Sequence, residues 1–171
     1  NWQIKLDGYF YQGKPEGEWI EYYEDSVVAE IGNYTNGYKD STWVAYYPNK
    51  KVESIINYSF DFEYGKFQLF YDNGRPKLEG EFDKGLEVGK WTKYYPNKEI
   101  EYEIEYENGE EDGPYTYYYD NGKPSEKGYF KHRLVDRELE FYYSNGQLKL
   151  KEYYDEGRLL KSENFYREDD A

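Results

Sequence analysis

The chain has no cysteine, no methionine and a single histidine, His132, in 171 residues. Without cysteine, disulfide staples and thiolate metal centres are excluded, and the redox compartment is left open. The missing methionine, at position 1 included, is expected of a trimmed or processed chain. No apolar run approaches the roughly 18 residues of a membrane-spanning helix. Basic residues are short too, with 22 Lys and Arg against 36 Asp and Glu and a net charge of −14. Nucleic acid phosphates and anionic lipid surfaces are bound chiefly through Lys and Arg. Neither is therefore expected as a partner. Apolar residues make up only 37% of the chain, and Leu, Ile and Val are sparse, so a thick aliphatic core is not available.

What the chain does have is aromatic rings, 22% of all residues and 25 of them Tyr. Disordered chains are poor in aromatics, so the composition predicts a thin folded body held together by rings. Those rings recur. The stretch Gly89 to Asp112 is 24 residues long, and its landmarks repeat at that spacing in both directions. Trp91 is echoed by Trp19, Trp43, Phe67, Tyr115 and Leu139; Tyr95 by Tyr23, Tyr47, Tyr71, Tyr119 and Tyr143. A fixed period of this size marks a repeat architecture. A half unit covers residues 1–16, six units start near Gly17, Ser41, Gly65, Gly89, Gly113 and Arg137, and a polar tail occupies 167–171. Tyr166 keeps the phase. No linker or change of composition interrupts the count, so one domain over 1–171 is expected.

Two turn signals alternate within each unit. One is Asp-Asn-Gly or Pro-Asn-Lys, as at Asp72-Asn73-Gly74 and Pro96-Asn97-Lys98. Asn-Gly favours tight hairpins because both residues tolerate positive φ. The other reads as longer, as in NGYKDS and NGEEDG. Between the turns lie runs rich in Tyr, Trp, Ile and Val, the composition of strands. Each unit is thus a β-hairpin. The prediction is an all-β fold: an elongated single antiparallel meander of about fourteen strands, forming a curved or twisted open sheet. Alternation assigns the faces. Ile100, Tyr102, Ile104 and Tyr106 point one way and Glu99, Glu101, Glu103 and Glu105 the other, giving one dry and one wet face. Trp91 and Tyr95 are assigned to the dry face. A second row alternates small and large residues, with Gly8, Gly32, Gly80 and Gly128 set against Ile56 and Ile104. Neighbouring strands could interdigitate there.

Units of the form GxWxxYYxNGxxxxExxYxNGxxxG resemble the bacterial MORN-repeat variant found in YwqK-type antitoxin proteins. Gly89, Trp91, Tyr94, Tyr95, Asn97, Glu103, Tyr106, Asn108, Gly109 and Gly113 carry the match, with their equivalents over residues 8–166. The resemblance implies stacked hairpins, no catalytic residues, no cofactor, and roles in scaffolding, protein interaction, antitoxin-like neutralisation or, for the wider MORN class, membrane contact. Several units depart from the pattern at turn positions, which bears on local turn geometry and not on the resemblance: Lys50 and Lys98 for a turn Gly, Ser41 and Arg137 for the leading Gly, and Asp61 for the Gly of the second turn. An exported or cell-surface bacterial location is favoured slightly over a cytoplasmic one.

Catalytic chemistry has little footing. His132 lies in a turn with no Ser or Asp beside it in sequence, and carboxylates are too abundant for any pair to mark a hydrolase site. The Asp-Asn-Gly turns offer one acid each, too few closely spaced oxygens for a calcium loop, and the most acidic turn, Asn108 to Gly113, is the one to test with Ca²⁺. No metal site is predicted. The rings carry two roles: most fill the space between strands, but an open sheet cannot cover all of them. The row Tyr22, Tyr46, Phe70, Tyr94, Tyr118 and Tyr142 lies on the opposite pleat from Trp91 and is the candidate interaction surface. The expected function is non-enzymatic capture of a protein or peptide segment on an aromatic sheet face. The alternative is a bacterial surface or glycan-binding module.

Overall fold

The computed structural model describes residues 5–165. Tyr166 and the tail 167–171 lie outside the described residues. Fourteen strands follow one another: β1 (Lys5–Tyr11), β2 (Lys14–Tyr22), β3 (Val28–Thr35), β4 (Tyr38–Tyr46), β5 (Val52–Ser59), β6 (Phe62–Phe70), β7 (Pro76–Asp83), β8 (Leu86–Tyr94), β9 (Ile100–Glu107), β10 (Glu110–Tyr118), β11 (Pro124–Lys131), β12 (Leu134–Tyr142), β13 (Leu148–Asp155) and β14 (Arg158–Asn164). They form one meander sheet in chain order, and no helix occurs among the described residues. Packing divides the chain into two compact units, residues 1–86 and 87–171.

The turns differ from the sequence expectation. Consecutive positive-φ residues, the pattern of a two-residue type I′ turn, occur at Gln12–Gly13, Asn36–Gly37, Phe60–Asp61, Lys84–Gly85, Asn108–Gly109, His132–Arg133 and Glu156–Gly157. The signal that reads as longer therefore holds the tighter turn, and the residues after it already belong to the next strand. At the Asp-Asn-Gly, Ser-Asn-Gly and Pro-Asn-Lys sites, and at the equivalent Glu24-Asp25-Ser26, only the last residue has positive φ, at Ser26, Lys50, Gly74, Lys98, Gly122 and Gly146. Asn serves there as an acceptor: Asn49 Oδ1 takes a hydrogen bond from Lys51 N at 3.0 Å, and Asn73, Asn97, Asn121 and Asn145 repeat it.

Departures from glycine leave the backbone path unchanged. Lys50 and Lys98 hold φ of 66° and 83°, and Ser41 and Arg137 hold 62° and 64° where Gly17, Gly65 and Gly89 hold 73°, 70° and 65°. A side chain in that region costs roughly 1–2 kcal/mol, partly offset by the entropy glycine loses on folding. Lys98→Gly is accordingly expected to stabilise the protein by about 0.5–1 kcal/mol. A urea midpoint that falls instead of rising would rule out strain at this turn.

Repeats are stitched to one another at both ends of the strands. On the type I′ side, Gly37 N donates to Pro15 O at 3.0 Å, Asp61 N to Lys39 O at 3.0 Å and Arg133 N to Glu111 O at 2.9 Å. On the other side, the Tyr23 hydroxyl donates to Tyr46 O at 2.7 Å and Tyr47 to Phe70 O at 2.8 Å. Tyr95 reaches Tyr118 O at 2.8 Å and Tyr119 reaches Tyr142 O at 2.7 Å. Tyr95 is thus a turn residue just past β8, not a member of the dry row, and its ring is used as a brace.

The core of each unit lies on one face. In residues 1–86, Trp19 and Trp43 are buried within an edge-to-face series of Phe10, Trp19, Tyr34, Trp43 and Tyr58, with centroids 5.0–6.4 Å apart. Such ring pairs add roughly 0.5–1.5 kcal/mol beyond their buried area. The small row makes room for the indoles: a Cβ on Gly8 would stand 2.3 Å from Trp19, and one on Gly32 2.1 Å from Trp43. In residues 87–171 the buried set on this face is Trp91, Ile104, Tyr115 and Leu139, while Thr92, also buried, lies on the opposite face. Tyr115 stacks on Phe130 at 4.2 Å and lies across Gly128. Trp91 pairs with Ile104 in register, and its ring meets Tyr106 at 6.1 Å. The dry-face assignment of Trp91, Ile104 and Tyr106 therefore holds. Ile100 does not continue it cleanly, because a bulge after Lys93↔Tyr102 pairs Ile100 with Tyr94.

Candidate interaction face

The row Tyr22, Tyr46, Phe70, Tyr94, Tyr118 and Tyr142 stands at the last position of β2, β4, β6, β8, β10 and β12. Every member is half-buried. The carbonyls of Tyr46, Phe70, Tyr118 and Tyr142 take part in the brace just described, and two of the row's hydroxyls are engaged on acids: Tyr118 donates to Glu103 at 3.0 Å and Tyr142 to Glu140 at 2.6 Å. Burial, then the Glu140 bond, pushes the Tyr142 phenol up to about 12. Glu140 is held below its ordinary range by Lys151 and Tyr142, and Glu103 by Lys90 and Tyr118. The row thus rests on a polar floor in the second unit.

Register shows what lies beside the row on the same face. Directly paired residues share a face, and one lane of such pairs crosses each unit. In residues 87–171 it runs Thr92, Glu103, Thr116, Lys127, Glu140, Lys151. Its charges are answered locally: Lys90 Nζ lies 2.8 Å from Glu103, and Lys151 Nζ 2.8 Å from Glu140 and 3.1 Å from Glu138. In residues 1–86 the equivalent lane runs Asp7, Ile20, Ile31, Val44, Ile55, Gln68, Glu79. Its centre is aliphatic. The expectation of one dry and one wet face consequently fails in the first unit, where both faces carry apolar side chains.

Two hollows open on this face. One, about 460 Å³, is lined by Val27, Val28, Ile31 and Tyr46 with Asp25, Ser26 and Lys50 at its rim. The other, about 450 Å³, lies among Lys127, Tyr129, Arg137, Glu138 and Glu140, and the Arg137 guanidinium sits 3.8 Å over the Tyr129 ring.

His132 has an acidic neighbour that sequence proximity does not reveal: Asp112 Oδ2 lies 3.3 Å from its Nδ1 and accepts from its backbone N at 3.2 Å. The same reach joins Glu16 to Asn36 N and Asp136 to Glu156 N. It is a turn cap repeated along the chain, with no nucleophile attached. Among the described residues no three acidic or imidazole side chains converge as a metal site would require.

The MORN repeat variant model matches residues 15–36, 39–59, 87–108, 111–132 and 138–156, each stretch spanning one of the turns at Ser26, Lys50, Lys98, Gly122 and Gly146 and the two strands it joins. The chain belongs to the MORN repeat variant family. No curated protein matches it. MORN repeats are non-catalytic modules of protein or membrane interaction, and each unit of this MORN chain has one ring-packed face and one that carries its half-buried members of the aromatic row.

Proposed function

We propose that this MORN protein is a non-enzymatic interaction module that holds a protein or peptide segment against the face opposite its tryptophans. The observation carrying this reading is the half-burial of all six residues of the Tyr22-to-Tyr142 row. Rings with one side packed and one side open supply contact area at low entropic cost. The tryptophan face is spent on internal packing, whereas the row adds little to it. Antitoxin-like neutralisation is the special case in which the captured segment belongs to a toxin.

Peptides selected from a displayed random library on the whole protein test this. They are expected to lose about tenfold or more in affinity against Tyr118→Ala, a loss of at least about 1.4 kcal/mol. The Tyr118→Ala melting shift should stay well below that of Trp91→Ala. Peptides indifferent to Tyr46→Ala and Tyr118→Ala alike would overturn the choice of face.

A further inference from the structure

The aliphatic lane of the first unit is where the repeats differ most. Ile20 and Val44 occupy the position that Gln68, Thr92, Thr116 and Glu140 occupy elsewhere, and Ile31 and Ile55 occupy that of Glu79, Glu103, Lys127 and Lys151. The fold itself does not require aliphatics there, since the second unit forms the same ladder with Thr, Glu and Lys. All four are only half-buried. At about 4.8 Å per strand the four span roughly 14 Å. Acids bracket them: Asp7 pairs with Ile20 at one end, and at the other Gln68 Nε2 binds Glu79 at 3.0 Å. Glu18, two residues before Ile20 on the same face, is exposed beside the lane, and Glu24 is exposed past the end of β2. Asp25 and Lys50 border the hollow at Ile31 and Tyr46.

We infer that this lane is a docking site for a peptide segment with a short apolar run flanked at both ends by Lys or Arg. The inference rests on the face proposed above and names the chemistry of its ligand. A second copy of the chain is a poor occupant. Apposing two lanes would bring Asp7, Glu18 and Glu79 of each copy near like charges, on chains that each carry −14, and like-charge apposition disfavours association. A basic-flanked apolar segment instead meets aliphatics at its centre and carboxylates at its ends. Its encounter with the acidic surface is also accelerated by charge.

Fluorescein-labelled KKLVLIKK titrated into the full chain tests the site, with EELVLIEE and KKSTSTKK as controls. The first should bind at least about tenfold tighter than either control and weaken at about 0.5 M salt, where exposed charges are screened. Ile20→Thr combined with Val44→Thr installs the residue that Thr92 and Thr116 already provide, and it should abolish that preference while far-ultraviolet circular dichroism is unchanged. Equal binding of KKSTSTKK, no binding of KKLVLIKK, or binding unaffected by the Thr pair would overturn the inference. Sedimentation showing a dimer that the Thr pair disperses would also overturn it, in favour of self-association. If library-selected peptides respond to Tyr118→Ala but not to the Thr pair, this site fails and the broader reading stands.

Discussion

Trp43→Ala is expected to cost about 3–5 kcal/mol, the largest loss from any single truncation in the chain. Trp43 is only 2% exposed. Its neighbours supply the enclosure. Gly32 lies under the ring, Tyr34 and Tyr58 meet it edge-on at 5.0 and 6.4 Å, and the Lys39 ammonium stands 3.8 Å over it. Its indole N–H donates to Asn33 O at 3.1 Å. Truncation removes the transfer energy of the largest side chain and leaves that carbonyl without its donor. Equilibrium urea unfolding measures the loss. A cost below about 1 kcal/mol would mean that the ring is dispensable and that the strand ladder alone holds the first unit.

Gly32→Ala should approach the same severity by the opposite route. The added Cβ would lie 2.1 Å from Trp43 Cδ2 and 2.3 Å from Cε2, atoms of a rigid ring with no flexible end to swing aside. Overpacking of this kind costs typically about 1–3 kcal/mol, and here the upper part of that range is expected. Gly32 is not among the positive-φ residues, so the clash is the whole penalty. In a Trp43→Ala background the clash disappears, and Gly32→Ala should become neutral or slightly stabilising, since Gly is inferior to Ala in a strand by about 0.5–1 kcal/mol. A double-mutant cycle would then show a coupling above about 1 kcal/mol. Additive losses would show that the ring does not rest on Gly32. Gly65 is a useful contrast: nothing lies within 4 Å of its missing Cβ, but its φ is +70°. Any cost there comes from the backbone alone.

Much of this architecture is legible before folding because the period is fixed. Strand number, hairpin order and the burial of the Trp19, Trp43 and Trp91 row follow from counting in twenty-fours and alternating sides. Turn type is harder, because Asn-Gly suits two different turns. At Asn36–Gly37 both residues take positive φ, whereas at Asn73–Gly74 only the glycine does. The difference is set by loop length, which depends on where the strands stop pairing. The aliphatic lane is harder still. Ile20, Ile31, Val44 and Ile55 are spaced 11, 13 and 11 residues apart in sequence. They become neighbours only once register is known, and bulges such as the one between Ile31 and Asn33 shift that register within each hairpin. The Asp112–His132 contact was hidden for the same reason. It joins β10 to the turn between β11 and β12 rather than neighbours in sequence.

The hydrogen bonds at the turns also bear on how the protein ages chemically. The chain contains five Asn-Gly pairs, the sequence most prone to deamidation, in which the backbone nitrogen of Gly attacks the Asn side-chain carbonyl. In every pair that nitrogen is already a donor: Gly37 to Pro15 O, Gly74 to Tyr71 O, Gly109 to Glu87 O, Gly122 to Tyr119 O and Gly146 to Tyr143 O, at 2.8–3.0 Å. A nitrogen whose proton is held in such a bond is a poor nucleophile, and the rigid turn denies it the ring geometry the reaction needs. Deamidation is thereby confined to molecules whose turns have opened. Its rate becomes a clock for local unfolding, ticking first wherever the hairpins fray.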